Sequence, residues 1–100
     1  MKYRAIFNNS DNDEHVESIF SGEISNGLIS LTDENGWIMG GIVNLYYGFG
    51  ANCTHPSGLY PLKHLSGLKK DGRYVGHWGY DGVPREGTFS LTPIEPKTEQ

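Results

Sequence analysis

Trp37–Tyr47, with the sequence WIMGGIVNLYY, is the stretch around which the rest of the chain is arranged. It has eleven residues, carries no charged side chain and is apolar at both odd and even positions. A strand with one solvent-exposed face alternates apolar and polar residues, whereas a strand that is buried on both faces does not. We therefore interpret this stretch as the central strand of a small β domain.

Two Asn-Gly dipeptides precede this stretch and predict how the strands around them pair. Asn-Gly suits a two-residue type I′ turn, in which both central residues need a positive φ. Asn26-Gly27 then pairs Ile24 with Ile29, and Asn35-Gly36, as a turn of the same type, pairs Ile29 with Ile42. In this register the inner face of the central strand carries Ile38, Gly40 and Ile42. The opposite face carries an apolar stripe of five candidate interface residues: Trp37, Met39, Val43, Leu45 and Tyr47.

The second half of the chain contains further strand and turn signals. Gly48–Gly58 is rich in Gly and reads as an irregular loop, and Leu59–Lys69 resumes a strand. Lys70-Asp71-Gly72 suits a three-residue hairpin loop, which pairs Leu68 with Tyr74 and His64 with Trp78. After a turn that starts at Asp81-Gly82, the last strand places Gly87, Phe89 and Leu91 inward.

Closely spaced hairpin turns without a convincing helix indicate an all-β protein of about seven antiparallel strands. Such a meander must close or fold over to protect its edges, so we predict a small up-and-down barrel or half-barrel. A β-sandwich is the alternative. Inward glycines favour the barrel because they permit tight coiling of the strands. We predict one domain over residues 1–93 and a flexible tail over residues 94–100.

The closing segment, GRYVGHWGYDGVPREGTFSL, combines aromatic residues and glycines on neighbouring strands. In this respect it resembles small antiparallel barrels of the avidin and lipocalin type. The resemblance covers about the last thirty residues and the general rhythm of hairpins, and it implies a ligand cavity at the mouth of a barrel. No binding residue is carried over from it.

Aromatic and polar residues at inward positions mark a candidate ligand site, because small-molecule sites combine apolar walls with a few polar groups. In the predicted register five such residues share one end of the inner face: Tyr46, Tyr60, His64, Trp78 and Tyr80. Packing of the same rings as core is the alternative interpretation.

The remaining cluster, Cys53 and His55 in the Gly-rich loop, matches no metal-ligand or nucleophile pattern, so we assign no metal, no cofactor and no catalytic residue.

The net charge of −4 is unevenly distributed, because no Lys or Arg occurs between Ala5 and Leu62. An acidic surface disfavours direct binding to nucleic acid or to anionic membranes and permits a basic partner. Cys53 is the single cysteine, and neither a signal peptide nor an apolar membrane span is recognisable, so we expect a cytoplasmic protein.

Three functions fit these features. The first is a non-catalytic domain that binds a protein, either a second copy of itself or a basic partner that it inhibits or adapts. The second is a barrel that binds a small apolar or aromatic ligand. The third is a small enzyme of the cyclase or isomerase kind, for which the sequence offers no defined catalytic set.

Overall fold

The computed structural model describes residues 1–11, 14–44, 46 and 48–94, and the described chain forms eight strands. In chain order these are β1 Lys2–Asn9, β2 His15–Ser25, β3 Leu28–Asp33, β4 Ile38–Asn44, β5 Gly48–Thr54, β6 Lys63–Lys70, β7 Arg73–Tyr80 and β8 Val83–Ile94. Each strand pairs antiparallel with the next, and β1 pairs with β8 to close the barrel. The described residues include no helix that is long and apolar enough to cross a membrane.

The prediction of a small all-β antiparallel barrel is confirmed, with eight strands where about seven were expected. The additional strand is β5, because Gly48–Thr54 lies in the segment that the sequence indicated to be a loop. Its glycines suggested turns, but Phe49, Ala51 and Cys53 alternate inward and are buried. The predicted tail, apart from Ile94 at the end of β8, lies outside the described residues.

The β2–β3 hairpin has the predicted register. Ile24 lies opposite Ile29, and the two turn residues, Asn26 and Gly27, have φ values of 53° and 78°. Both values belong to a type I′ turn, whose twist matches that of the flanking strands. The local dipeptide was therefore sufficient to set the pairing of these two strands.

The predicted register of the β3–β4 hairpin is wrong by one residue. Ile29 lies opposite Gly41 and not Ile42. The connection is not a type I′ turn, because Gly36 has a φ of 94° whereas Asn35 is not among the residues with positive φ. The Asp33 carboxylate is the cause: its Oδ1 accepts hydrogen bonds from the backbone N–H groups of Asn35 (2.9 Å) and Trp37 (2.8 Å), which lengthens the loop to three residues.

This shift reverses the two faces of β4, since neighbouring residues of a strand point to opposite sides. Met39 is 1% exposed in the core, whereas Ile38 is 44% exposed on the outside. Val43 and Trp37 pack against the core as partly buried residues. The predicted outward stripe is thus wrong for Trp37, Met39 and Val43, and its other two members, Leu45 and Tyr47, lie outside the described residues.

The β6–β7 hairpin also differs from its predicted register. Asp71 and Gly72 alone form the turn, with φ values of 54° and 77°, so the loop has two residues and not three. Leu65 therefore lies opposite Trp78 inside the barrel, and His64 lies opposite Gly79 with its side chain exposed. Leu65, and not His64, therefore occupies the inward position opposite Trp78.

The core fills one end of the barrel and leaves the other open. At the filled end, where β2 leads into β3 and β6 into β7, the interior is closed by buried side chains such as Tyr3, Ile29 and Tyr74. Strands coil closely there: Gly67 and Gly76 face each other, and a Cβ on Gly76 would lie 1.9 Å from the carbonyl oxygen of Ser66. We call the opposite end, where β1 leads into β2 and β3 into β4, the mouth.

Candidate ligand-binding mouth

A cavity of about 380 Å³ opens at the mouth of the barrel. It is lined by residues at the mouth ends of six strands and by the β3–β4 turn. Its apolar wall consists of Phe7, Val16, Phe20, Trp37, Cys53, Trp78 and Tyr80. Its polar lining consists of Asn9, Glu14, His15, Glu17, Ser18, Asp33, Asn35 and Lys63.

The aromatic wall is held in a fixed arrangement by ring contacts and one hydrogen bond. Trp78 meets Phe7 edge to face at 6.2 Å and Tyr80 at 5.4 Å between ring centroids. Its indole Nε1–H donates to the backbone oxygen of Asn8 at 3.0 Å across the seam between β7, β8 and β1. Gly87 leaves room for this contact, because a Cβ there would lie 2.7 Å from Nε1 and 1.6 Å from the Asn8 oxygen. The ring of Trp78 is therefore presented to the cavity with its polar atom satisfied.

Asp33 joins two sides of the cavity. Its Oδ2 accepts a hydrogen bond from Ser18 Oγ at 2.9 Å, while Oδ1 holds the β3–β4 turn. A carboxylate that accepts three hydrogen bonds is held firmly in one position. Asp33 therefore shapes the wall by fixing the turn that carries Trp37 through Oδ1, while Oδ2 is engaged by Ser18.

The β5–β6 connection forms one edge of the mouth around a cluster of three rings. Trp37, His55 and Tyr60 lie in mutual contact, with all three centroid distances at 5.3 Å. His55 Nε2 lies 2.8 Å from the carbonyl oxygen of Asn35, which can only accept, so Nε2 carries the proton. Nδ1 then accepts from Ser57 Oγ at 2.8 Å. This network attaches the β5–β6 connection to the β3–β4 turn.

Lys63 is the cation of the cavity. It is the first residue of β6, it lies opposite Cys53, and Leu65 two positions on is buried inside the barrel. Its Nζ stands 4.3 Å from the centroid of the Trp37 ring and 5.9 Å from that of Phe7. Both distances fall in the range of cation–π attraction. The ammonium group is thus held between two rings at the half-buried edge of the cavity.

Cys53 lines the deeper part of the cavity as a neutral thiol. Burial raises the pKa of the thiol to about 11 from 9.0, against a smaller opposite effect of the Lys63 charge. The thiolate is the reactive form of cysteine. Cys53 therefore contributes to the wall as a small apolar group at neutral pH.

The structure separates the five predicted ligand residues. Trp78 and Tyr80 line the cavity, and Tyr60 lies at its edge in the three-ring cluster. His64 is on the outer surface, where Nδ1 lies 2.9 Å from Asn52 Oδ1 and Nε2 pairs with Asp81. Tyr46 lies in the β4–β5 connection at the filled end of the barrel, so the prediction that all five share one end is wrong.

Three polar members of the site were missed from the sequence: Ser18, Asp33 and Lys63. The signal for Lys63 was available, because it alternates with Leu65 along a strand, but the assumed loop length placed His64 inward instead.

Within the described residues, no three His, Cys, Asp or Glu side chains are grouped so that they could hold a metal ion. Comparison of the chain with protein-family models, with curated proteins and with solved structures finds no match.

Proposed function

We propose that this protein binds a small apolar or aromatic molecule in the mouth of its barrel. The single observation that supports the proposal is the cavity of about 380 Å³, walled by aromatic rings, among which Trp78 has its indole N–H satisfied within the protein. Ligand sites have volumes of roughly 300–1,000 Å³, with mostly apolar walls and few polar groups. An eight-stranded barrel has an interior that side chains fill or that holds one small ligand, and this barrel has a filled end and an open end.

The walls of the mouth are suited to receive a ligand without large rearrangement. Trp78 is fixed by its indole hydrogen bond, and Trp37 is fixed between the Asp33 turn and the β5–β6 connection. Binding to preorganised walls avoids the cost of ordering side chains, about 0.5–1.5 kcal/mol for each rotamer-rich one. Both tryptophans of the chain line the cavity, so each reports on its occupancy.

A blocking substitution tests this proposal with 2-naphthamide as a neutral aromatic probe. Val16 lines the cavity, whereas Ile19 on the same strand is paired with Arg4 on the outer surface. We expect the two indole N–H signals to shift on titration of the wild type in ¹H–¹⁵N NMR spectra. Val16→Phe should weaken binding about tenfold or more, equivalent to about 1.4 kcal/mol, because Val16 stands at the rim, 64% exposed, and the larger ring narrows the opening of the cavity.

The matched control is Ile19→Phe, which adds the same ring on the opposite face of β2 and should bind as the wild type does. The proposal would be overturned if neither 2-naphthamide nor the corresponding acid, 2-naphthoate, moved the indole signals of the wild type. Equal weakening by both substitutions would also contradict it, since the effect would then not be specific to the cavity.

We propose protein–protein interaction as a second function, with a second copy of the chain as the partner. The reversed faces of β4 bring Leu28 and Ile42 together on the outside, directly opposite each other and 60% and 63% exposed. The outward positions of β3, β4 and β5 carry no charged side chain. Because each copy has a net charge of −4, an uncharged wall is the surface on which two copies repel least.

Sedimentation velocity tests this second proposal. We expect the wild type to sediment as a dimer and Ile42→Lys to sediment as a monomer, because each dimer would bury two added charges at the symmetric interface. Thr88→Lys is the matched control, since Thr88 is exposed on β8, on the side of the barrel opposite β4. A monomeric wild type, or equal dissociation by both substitutions, would contradict the proposal.

A further inference from the structure

Lys63 places an ammonium group beside the aromatic rings of the mouth. Its side chain is half-buried and lines the cavity. Among the described residues, the contacts of Nζ are with the rings of Trp37 and Phe7. A ring face attracts the charge but offers no oxygen to the three N–H donors of the group. The mouth therefore contains a half-buried cation whose donors are available to an acceptor in the cavity.

The carboxylates that line the cavity do not provide that acceptor. Asp33 uses Oδ1 and Oδ2 for the β3–β4 turn and for Ser18. Glu17 pairs with Arg4 at 2.8 Å on the outer side of the barrel. No carboxylate in the described part of the chain lies within ion-pair distance of Lys63 Nζ. A ligand would therefore have to supply the negatively charged partner of Lys63.

The position of the cation relative to the rings defines the ligand further. Lys63 stands beside Trp37 and Phe7, and the remaining apolar wall of Phe20, Trp78 and Tyr80 faces the same cavity. A ligand that meets both features has a flat apolar body and one anionic group attached to it. Lys63 is the one Lys or Arg among the described residues that line the cavity, so a second negative charge on the ligand would have no cation to pair with.

We propose that the mouth binds a small aromatic carboxylate, with the carboxylate paired to Lys63 and the ring held against the wall formed by Phe20, Trp78 and Tyr80. This inference rests on the proposed ligand-binding function and names the class of its ligand. Lys63 is then the residue that determines specificity. A charged hydrogen bond in a partly dry site is stronger than a neutral one, so the acid binds more tightly than an amide of the same shape.

The test compares 2-naphthoate with 2-naphthamide, which share a ring system and differ in charge, by NMR titration of the two indole signals. We expect the wild type to prefer the acid by roughly tenfold or more. Lys63→Met should abolish this preference and leave the affinity for 2-naphthamide nearly unchanged, whereas Lys63→Arg should retain it. Naphthalene-2,6-dicarboxylate should bind more weakly than 2-naphthoate.

Lys69→Met is the matched control, because Lys69 also stands over a ring, with Nζ 5.7 Å from the centroid of Tyr74, but at the filled end of the barrel. It should keep the preference for the acid. Equal affinity of the wild type for the acid and the amide would overturn the ligand class while leaving the proposed function intact, as would an unchanged preference in Lys63→Met. Absence of binding by both compounds would overturn both proposals. Lys63→Arg keeps the test valid if Lys63→Met fails to fold.

Discussion

Gly76→Ala is expected to destabilise the barrel by about 3 kcal/mol or more, measured as the free energy of unfolding in urea. The added Cβ would lie 1.9 Å from the carbonyl oxygen of Ser66 and 2.6 Å from the Cα of Gly67. Both obstacles belong to the backbone of the neighbouring strand, so no side chain can turn aside to make room. The strands must separate, which breaks ladder hydrogen bonds where β6 and β7 coil most closely.

Gly50→Ala is the matched control for this experiment. Gly50 is also a strand residue, but a Cβ built there meets no atom within 4 Å. We expect its stability to remain within about 0.5 kcal/mol of the wild type. If Gly76→Ala proved as stable as Gly50→Ala, the close approach of β6 and β7 would be incorrect. A small domain has only about 5–15 kcal/mol of stability, so the Gly76 substitution removes a large share.

Met39→Ala should cost about 2–5 kcal/mol, because it deletes a side chain that is 1% exposed and leaves a cavity in the core. Its neighbour Ile38 faces outward on the same strand at 44% exposure, so Ile38→Ala should cost about 1 kcal/mol or less. Urea denaturation of both variants measures the difference directly. The comparison is sensitive to register, since a shift of one residue exchanges the two faces.

The opposite ranking of these two substitutions would support the register that the Asn35-Gly36 dipeptide suggested. It would also remove the basis for placing Leu28 and Ile42 together on the outer wall. Asp33→Asn provides a check on the cause, because it removes the charge of the group that holds the loop while retaining one oxygen acceptor. A moderate loss of stability is expected there, since hydrogen bonds to charged groups are stronger than neutral ones.

The class of fold was predictable because its signals are local. Alternation, Gly-containing dipeptides and the lack of helical periodicity are properties of short windows, and they indicated an antiparallel barrel. The β2–β3 pairing followed from Asn26-Gly27 for the same reason. Two of the five aromatic residues of the wall, Trp78 and Tyr80, were also found, since they alternate on a strand that was correctly placed.

The polar half of the site was not predictable in the same way. Lys63 was overlooked because the preceding Gly-rich segment was interpreted as a loop and the β6–β7 turn as three residues long. Because of these two errors, the predicted register placed His64 inside the barrel and Lys63 outside it. Asp33 was overlooked because its role is to accept hydrogen bonds from backbone groups of a turn, which composition does not show.

By itself, the sequence determined that this chain is a set of antiparallel strands, and it determined the pairing at Asn26-Gly27, where two backbone angles set the register. Only the tertiary structure decided which face of β4 and of β6 points inward. The physical reason is that a strand has a period of two, so a turn longer or shorter by one residue reverses every side chain. That choice buries Met39 and brings the ammonium group of Lys63 against the ring of Trp37, a residue 26 positions earlier in the chain.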